Sequence, residues 1–280
     1  PYGMNKGFDN DNLHDGNLDQ FQMSWWEAFR PHIDDNASAY IWGNSADLSR
    51  LWHTGGLKNS ERLTLRNEIV WDKGGGGMSV KTEAGRMFQS SERCLFFMLG
   101  EQGFNNNADN YWEGWEGIRS ALAADVEKTG WTADDIHRIT GVGMFGHWFT
   151  KSQWEFIPEH HYIALQAAAK DDAFKRDHDD LKRDHDDLKR EFYATRAYFD
   201  NSHEAMTDVW LYAPIGDVWK FPRVKGADRH DHATPKPVLM IIRAVKSSCE
   251  SGGLIVDPFS GTGTTLMASE YADRSCYAME

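Results

Sequence analysis

The stretch Gly253-Leu254-Ile255-Val256-Asp257-Pro258-Phe259-Ser260-Gly261-Thr262-Gly263-Thr264-Thr265 decides how this chain reads. A short apolar run ends in an acid, a turn with two glycines follows, and a helix is predicted over residues 264–271. Gly261 and Gly263 allow the backbone to approach a ligand closely, and the helix start presents its N–H groups to whatever sits there. A further strand is predicted over residues 275–280. Glu280 stands 19 residues after Gly261, where an acid can accept hydrogen bonds from both ribose hydroxyls of a nucleoside.

Two familiar nucleotide loops do not fit. Leu266 occupies the place of the third glycine in G-x-G-x-x-G, which argues against a dehydrogenase, and no lysine follows the glycines as a phosphate-binding hydrolase loop requires. An ordinary strand, turn and helix would not need the acid, both glycines and the terminal Glu280 together.

Working outward, residues 218–248 are predicted as a loop carrying Trp219, Phe221 and Pro222, then a helix over 237–248. Toward the start, a helix is predicted over 23–29 and strands over 37–42, 68–71 and 94–99, the latter rich in Ile, Val and Phe. The loop Lys73-Gly74-Gly75-Gly76-Gly77 lacks the Gly-Lys-Ser/Thr that would make it a phosphate loop. From 101 to 165 the alternation fails. Short helical stretches such as 117–126 and a helix start at Thr132-Ala133-Asp134-Asp135 read as an insertion.

Residues 175–188 write Lys-Arg-Asp-His-Asp-Asp-Leu twice, and 189–192 begin a third copy. Phe174, Leu181, Leu188 and Thr195 share one heptad position, and His178, His185 and Phe192 the other, so a helix of about 166–200 carries one narrow stripe. That stripe suits packing within the chain, or pairing with a second copy in a homodimer. Histidines seven apart lie about 10 Å apart by helical rise, too far to share a metal, and no metal site is expected.

The chain of 280 residues carries a formal charge of −13, unpromising for a polyanion partner until its distribution is considered. Residues 218–246 hold seven Lys/Arg against two Asp, and residues 101–135 hold two against eight Asp/Glu, so a basic surface and an acidic one are expected. Cys94, Cys249 and Cys276 are odd in number and lack C-x-x-C spacing, as expected of reduced thiols in a cytoplasmic protein. No apolar run reaches the roughly 18 residues of a membrane span. Most of the twelve tryptophans are expected in the core, with a few near a cleft available to stack on a base.

Residues 257–263 match every fixed position of Asp-Pro-Phe-x-Gly-x-Gly, and in this the chain resembles the DNA amino-methyltransferase family. His232-Ala233-Thr234-Pro235-Lys236-Pro237 is similar to the family's His-Pro-Thr-Gln-Lys-Pro segment, from which Ala233 and Pro235 depart. Trp71-Asp72-Lys73 and Asp217-Val218-Trp219 also resemble recurrent family segments. Pro1-Tyr2-Gly3 looks like the end of the catalytic Asp-Pro-Pro-Tyr.

The resemblance implies S-adenosylmethionine as cofactor, bound by Asp257, Phe259, Ser260, Gly261, Thr262, Gly263 and Thr264, with Glu280 on the ribose and Thr234 and Lys236 at the methionine end. It implies double-stranded DNA as partner and Pro1 and Tyr2 as catalytic residues. There, acceptors on the amino hydrogens let a base nitrogen become more tetrahedral and attack the sulfonium methyl in line, while the aromatic ring stacks on a base turned out of the duplex. Gly3 after the tyrosine favours adenine N6 over cytosine N4. A non-catalytic DNA- or cofactor-binding module is the alternative of a different class.

The implied fold is α/β, a Rossmann-like mixed sheet with an inserted, largely helical target-recognition region. Residues 1–100 form the catalytic half, 101–212 the insertion and 213–280 the cofactor half, an order that resembles the β class. The strand expected to run into the catalytic motif, and the acid expected near the cofactor's adenine, are not found. Chain beyond both ends is therefore expected, since a missing central strand would leave backbone unpaired.

Overall fold

The computed structural model describes residues 18–53, 57, 62–74, 91–104, 108–170, 172–200, 216–225 and 235–279. The chain divides into two compact units, one formed by residues 1–100 and 197–280 and the other by 101–196.

In the first unit, α1 (Leu18–Phe29) leads to β1 (Ser38–Gly43), α2 (Ser45–His53), β2 (Thr64–Asp72) and β3 (Ser91–Met98). β3 lies between β1 and β2, antiparallel to both, and β4 (Val218–Lys220) adds to β2 in parallel, making a mixed sheet of order β1-β3-β2-β4. The central place of β3 explains its composition. Cys94, Leu95, Phe96, Phe97 and Met98 are all buried, as a strand covered on both faces requires.

On one face Leu95 and Phe97 meet Trp26, Leu48 and Leu51 of α1 and α2. On the other, Tyr40 stacks on Phe96 with ring centroids 4.6 Å apart and its hydroxyl meets Ser248 Oγ at 2.7 Å. Ser248 ends α8 (Val238–Ser248), which buries six side chains along its length, among them Met240, Ile241 and Val245.

β5 (Leu254–Asp257) and β6 (Ser275–Ala278) pair in parallel as a separate two-stranded sheet, joined by α9 (Thr264–Tyr271). The first part of this unit is the strand, glycine turn and helix anticipated from residues 253–271. Sequence reasoning expected two halves of one sheet; none of the described strands joins the four-stranded sheet to this pair. Leu254, Val256 and Tyr277 point to the exposed face of β5 and β6.

The second unit is built from α3 (Glu116–Thr129), α4 (Ala133–Thr140), α5 (Phe145–Phe149), α6 (Glu159–Ala168) and α7 (His178–Ala194). The expected start at Thr132 is a capping box. Thr132 Oγ1 accepts from the Asp135 amide at 3.3 Å, and an Asp135 oxygen accepts from the Thr132 amide at 2.9 Å, satisfying two otherwise orphaned donors.

The heptad helix is shorter than the expected 166–200. Asp177 caps α7 by accepting from the Asp179 amide at 2.8 Å, and Phe174 stands at φ 53°, outside helical backbone. Its stripe faces inward: Phe174, His178, Leu181 and Phe192 are buried, packed with Trp115, Trp148, Trp154 and Tyr162. The apolar surface of this stripe is covered within the unit. Arg183 with Asp180, Arg190 with Asp187 and Lys182 with Asp186 line the solvated side. Among the described residues no helix is long and apolar enough to cross a membrane.

Candidate functional site

The glycine turn after β5 is held by the acid that precedes it. Asp257 Oδ1 accepts from the Phe259 amide at 3.0 Å, and Oδ2 accepts from the Thr265 hydroxyl at 2.6 Å. One carboxylate thus ties the end of β5 to the first turn of α9 and bends the intervening residues into a loop. The Ser260 amide donates to the Met279 carbonyl at 2.8 Å, and the Met279 amide donates to the Asp257 carbonyl at 2.9 Å, which anchors the loop to the chain leaving β6.

Gly261 has φ 52° and Gly263 φ 75°, left-handed conformations that cost a side chain about 1–2 kcal/mol. Gly263 is the N-cap of α9 and supplies no side-chain acceptor. The helix therefore begins without a capping side chain, with its positive end at the loop, an arrangement suited to an anionic group. Thr262 and Thr264 exchange a hydroxyl hydrogen bond at 3.0 Å, and the buried Thr264 reaches the Lys236 carbonyl at a long 3.5 Å. Phe259 is 41% exposed and meets Trp25 edge-on, with centroids 5.5 Å apart.

Lys236 lies close by in sequence to α8 but its ammonium is turned into the protein. Its Nζ is 3.1 Å from Glu92 Oε2 and 5.7 Å from the Trp71 ring centroid, while Lys73 pairs with the other Glu92 oxygen and also lies over Trp71. Burial lowers the pKa of Lys236, and Glu92 opposes that shift. Two lysines on one buried carboxylate form a compact charged cluster beneath the segment that leads to α8.

Of the residues expected at the site, Asp257, Phe259, Ser260, Gly261, Thr262, Gly263 and Thr264 form one loop, and Lys236 contacts it through its carbonyl. Pro1, Tyr2, Thr234 and Glu280 lie outside the described residues. Sequence reasoning missed Thr265, Trp25 and Glu92. Thr265 could have been found, since a hydroxyl in the first helical turn can reach an acid ending the strand before it. Glu92 carried no local signal; only its place on the central strand marks it.

Trp71-Asp72-Lys73 and Asp217-Val218-Trp219 come together by parallel pairing of β2 with β4. Trp71 Nε1 donates to the Phe221 carbonyl at 2.8 Å, and Trp219 Nε1 to that of Gly216 at 2.9 Å. Trp219, Tyr40, Phe96 and Phe199 line a cavity of about 50 Å³. The basic segment 218–246 is less of a surface than its charge count implies. Lys236 is paired within the protein, and Arg243 lies over the Trp219 and Phe221 rings. Lys220, Arg223 and Lys225 are exposed.

The loop joins two parallel strands through a helix, an α/β arrangement, and comparison with known proteins gives the family. The family model described as DNA methylase, N6_N4_Mtase, matches residues 1–280: the chain belongs to the N6/N4 DNA methylase family. It is 38% identical over 66 residues to the type II methyltransferase M2.MboI of Moraxella bovis, which is 23% of this chain and 24% of that protein. It is likewise 38% identical over 67 residues to the DNA adenine methyltransferase YhdJ of Escherichia coli K12, 23% of each. These matches span about a quarter of the length of the relatives. Among solved structures, M1.HpyAVI in complex with SAM aligns with TM-score 0.43 and 14% identity, over 100% of this chain and 78% of that one.

Proposed function

We propose that this protein transfers a methyl group from S-adenosylmethionine to the N6 amino group of adenine in double-stranded DNA. The observation that carries the reading is the Asp257–Gly263 loop, two left-handed glycines before an uncapped helix, in a chain of the N6/N4 DNA methylase family. The donor set fits the cofactor. Backbone amides at the start of α9 suit a carboxylate, Phe259 offers an exposed aromatic face, and Glu280 would accept from the ribose hydroxyls.

When bound, S-adenosylmethionine supplies an electrophilic methyl group on a sulfonium. The chain's part is to bind, orient and activate. Asp257 has both oxygens engaged inside the loop, so its part is to brace the loop. Lys236, committed to Glu92, would shape the 234–237 segment at the methionine end while its backbone carries the contact. The Pro1 carbonyl would accept an amino hydrogen of the target base, and the Tyr2 ring would stack on that base.

The helical unit of residues 101–196 would read the target sequence, and the exposed Lys220, Arg223 and Lys225 would meet phosphates. Lys151, a candidate reader beside Gln153, pairs with Glu113 at 2.7 Å and lies over the Tyr111 ring, so a role in reading would require it to leave that partner.

Gly3 after Tyr2 favours adenine, as does the similarity to an adenine methyltransferase; methylation of cytosine N4 is the second reading. Incubating the full-length protein with unmodified DNA and labelled S-adenosylmethionine, followed by nucleoside mass spectrometry, separates them. N6-methyladenine is the expected product. N4-methylcytosine would replace the first reading by the second, and no product with cofactor still bound would support a non-catalytic module.

A further inference from the structure

Spacing excludes a metal shared by His178 and His185, but the fold assembles a different trio. Glu159 in the first turn of α6, and His178 and Asp179 at the start of α7, each offer one ligand atom, and the three atoms lie within 4.8 Å of one another. Two carboxylates at helix starts are ordinary partners of the helix dipole and imply no ligand by themselves.

His178 is the independent observation. It is 8% exposed, with ring centroids 5.4 Å from Phe156 and 5.6 Å from Tyr162. Its Nε2 lies 3.2 Å from the Ile157 carbonyl oxygen, which can only accept, so Nε2 carries the proton. In the neutral ring Nδ1 is then the bare nitrogen, and it is buried without a hydrogen-bond partner among the described residues. A ring whose N–H is fixed by a backbone carbonyl, with the other nitrogen left bare, is oriented as metal-binding histidines are.

We propose that Glu159, His178 and Asp179 bind one Zn2+ ion. One imidazole nitrogen and two carboxylate oxygens suit Zn2+ better than Mg2+ or Ca2+, which take oxygen-only shells, and water completes the tetrahedron. Bonds of about 2.0–2.2 Å place tetrahedral ligands about 3.4 Å apart. The trio therefore closes by at most about 1.4 Å, within reach of rotamer changes at Glu159 and Asp179, both exposed. The ion ties the start of α6 to the start of α7, clamping the segment between them, in which Phe174 holds its left-handed backbone.

The test is calorimetric titration of ZnCl2 into the tag-free full-length protein in chelator-stripped buffer, with MgCl2 as control. One Zn2+ per chain at micromolar affinity is expected, with no comparable Mg2+ binding. Glu159→Gln and Asp179→Asn should each weaken it at least tenfold. Binding no tighter than millimolar would overturn the proposal. So would a folded double variant that binds Zn2+ like the parent, which would place the ion elsewhere, for instance at the adjacent His160 and His161. Should the double variant not fold, 15N spectra of the parent decide: Zn2+ must shift the His178 Nδ1 resonance, and an unmoved resonance rejects the site.

Discussion

Lys236 Nζ lies 3.1 Å from Glu92 Oε2, and Lys73 holds the other oxygen of the same carboxylate. All three charged ends are at most 14% exposed, so the pairing offsets a desolvation cost that none could bear alone. The cluster joins three segments distant in sequence, the end of β2, the start of β3 and the approach to α8.

Removing the shared anion should therefore be costly. Glu92→Gln leaves two ammonium groups beside each other at the Trp71 ring and is expected to destabilise the first unit by roughly 3 kcal/mol. Lys236→Met should cost less, because Lys73 still neutralises Glu92. Urea denaturation followed by tryptophan fluorescence measures both, and equal midpoints for the two variants would contradict this ordering.

Gly263 tests the loop itself. Among the described residues a Cβ there would meet only Leu266 Cδ1, at 3.7 Å, an ordinary contact, so the cost of Gly263→Ala comes from φ 75° and amounts to about 1 kcal/mol. Cofactor affinity should fall further than stability does, since the loop must re-shape where the ligand approaches. Thermal melts and calorimetric titration with S-adenosylmethionine give the two numbers.

Thr265→Val removes the hydroxyl that donates to Asp257 Oδ2 at 2.6 Å and keeps nearly the same volume. A hydrogen bond to a carboxylate contributes about 1.5–3 kcal/mol. With the brace gone, S-adenosylmethionine is expected to bind about tenfold more weakly while the helix content by circular dichroism stays the same. Unchanged affinity would show that Asp257 shapes the loop through the Phe259 amide alone.

His185 gives the helical unit a pH dependence. Burial against Phe156, whose ring it stacks on at 4.5 Å, pushes its pKa down to about 4, with Asp186 opposing. Between about 6.5 and 4 the unfolded chain binds the proton and the folded chain does not, so stability falls as pH falls through that window. The loss from pH 7 to pH 5 should be about 2 kcal/mol. His185→Phe should flatten the dependence, as denaturation midpoints at the two pH values would show.

Lys220, Arg223 and Lys225 are expected to contact phosphates. Changing all three to Gln should weaken DNA binding on every sequence alike and reduce the slope of log K against log salt by about 2–3. Fluorescence anisotropy between 50 and 200 mM salt measures the slope; an unaltered slope would remove this strip from the interface.

What was legible in the sequence was local. The strand, acid, paired glycines and helix of residues 253–271 could be read because backbone freedom, an apolar run and a helix start are properties of neighbours in the chain, and α9 runs over the residues expected. The capping box at Thr132 was legible for the same reason. α2 was missed although Asn44 caps it, its side chain accepting from the Asp47 amide at 3.0 Å, since its nine residues are too few to show a clear period.

Tertiary structure alone decided the rest. The heptad repeat specifies a stripe, but whether that stripe meets a second chain or Trp115, Trp154 and Phe156 of its own depends on long-range packing. The charge count of 218–246 could not distinguish Lys236, turned inward onto Glu92, from Lys220 at the surface. Glu92, a buried acid in an apolar strand, became intelligible only when β2, β3 and the approach to α8 were seen to bring two lysines to it. Spacing along the chain fixes what a helix or turn can present; which charges and rings meet is set by burial, which no local pattern encodes.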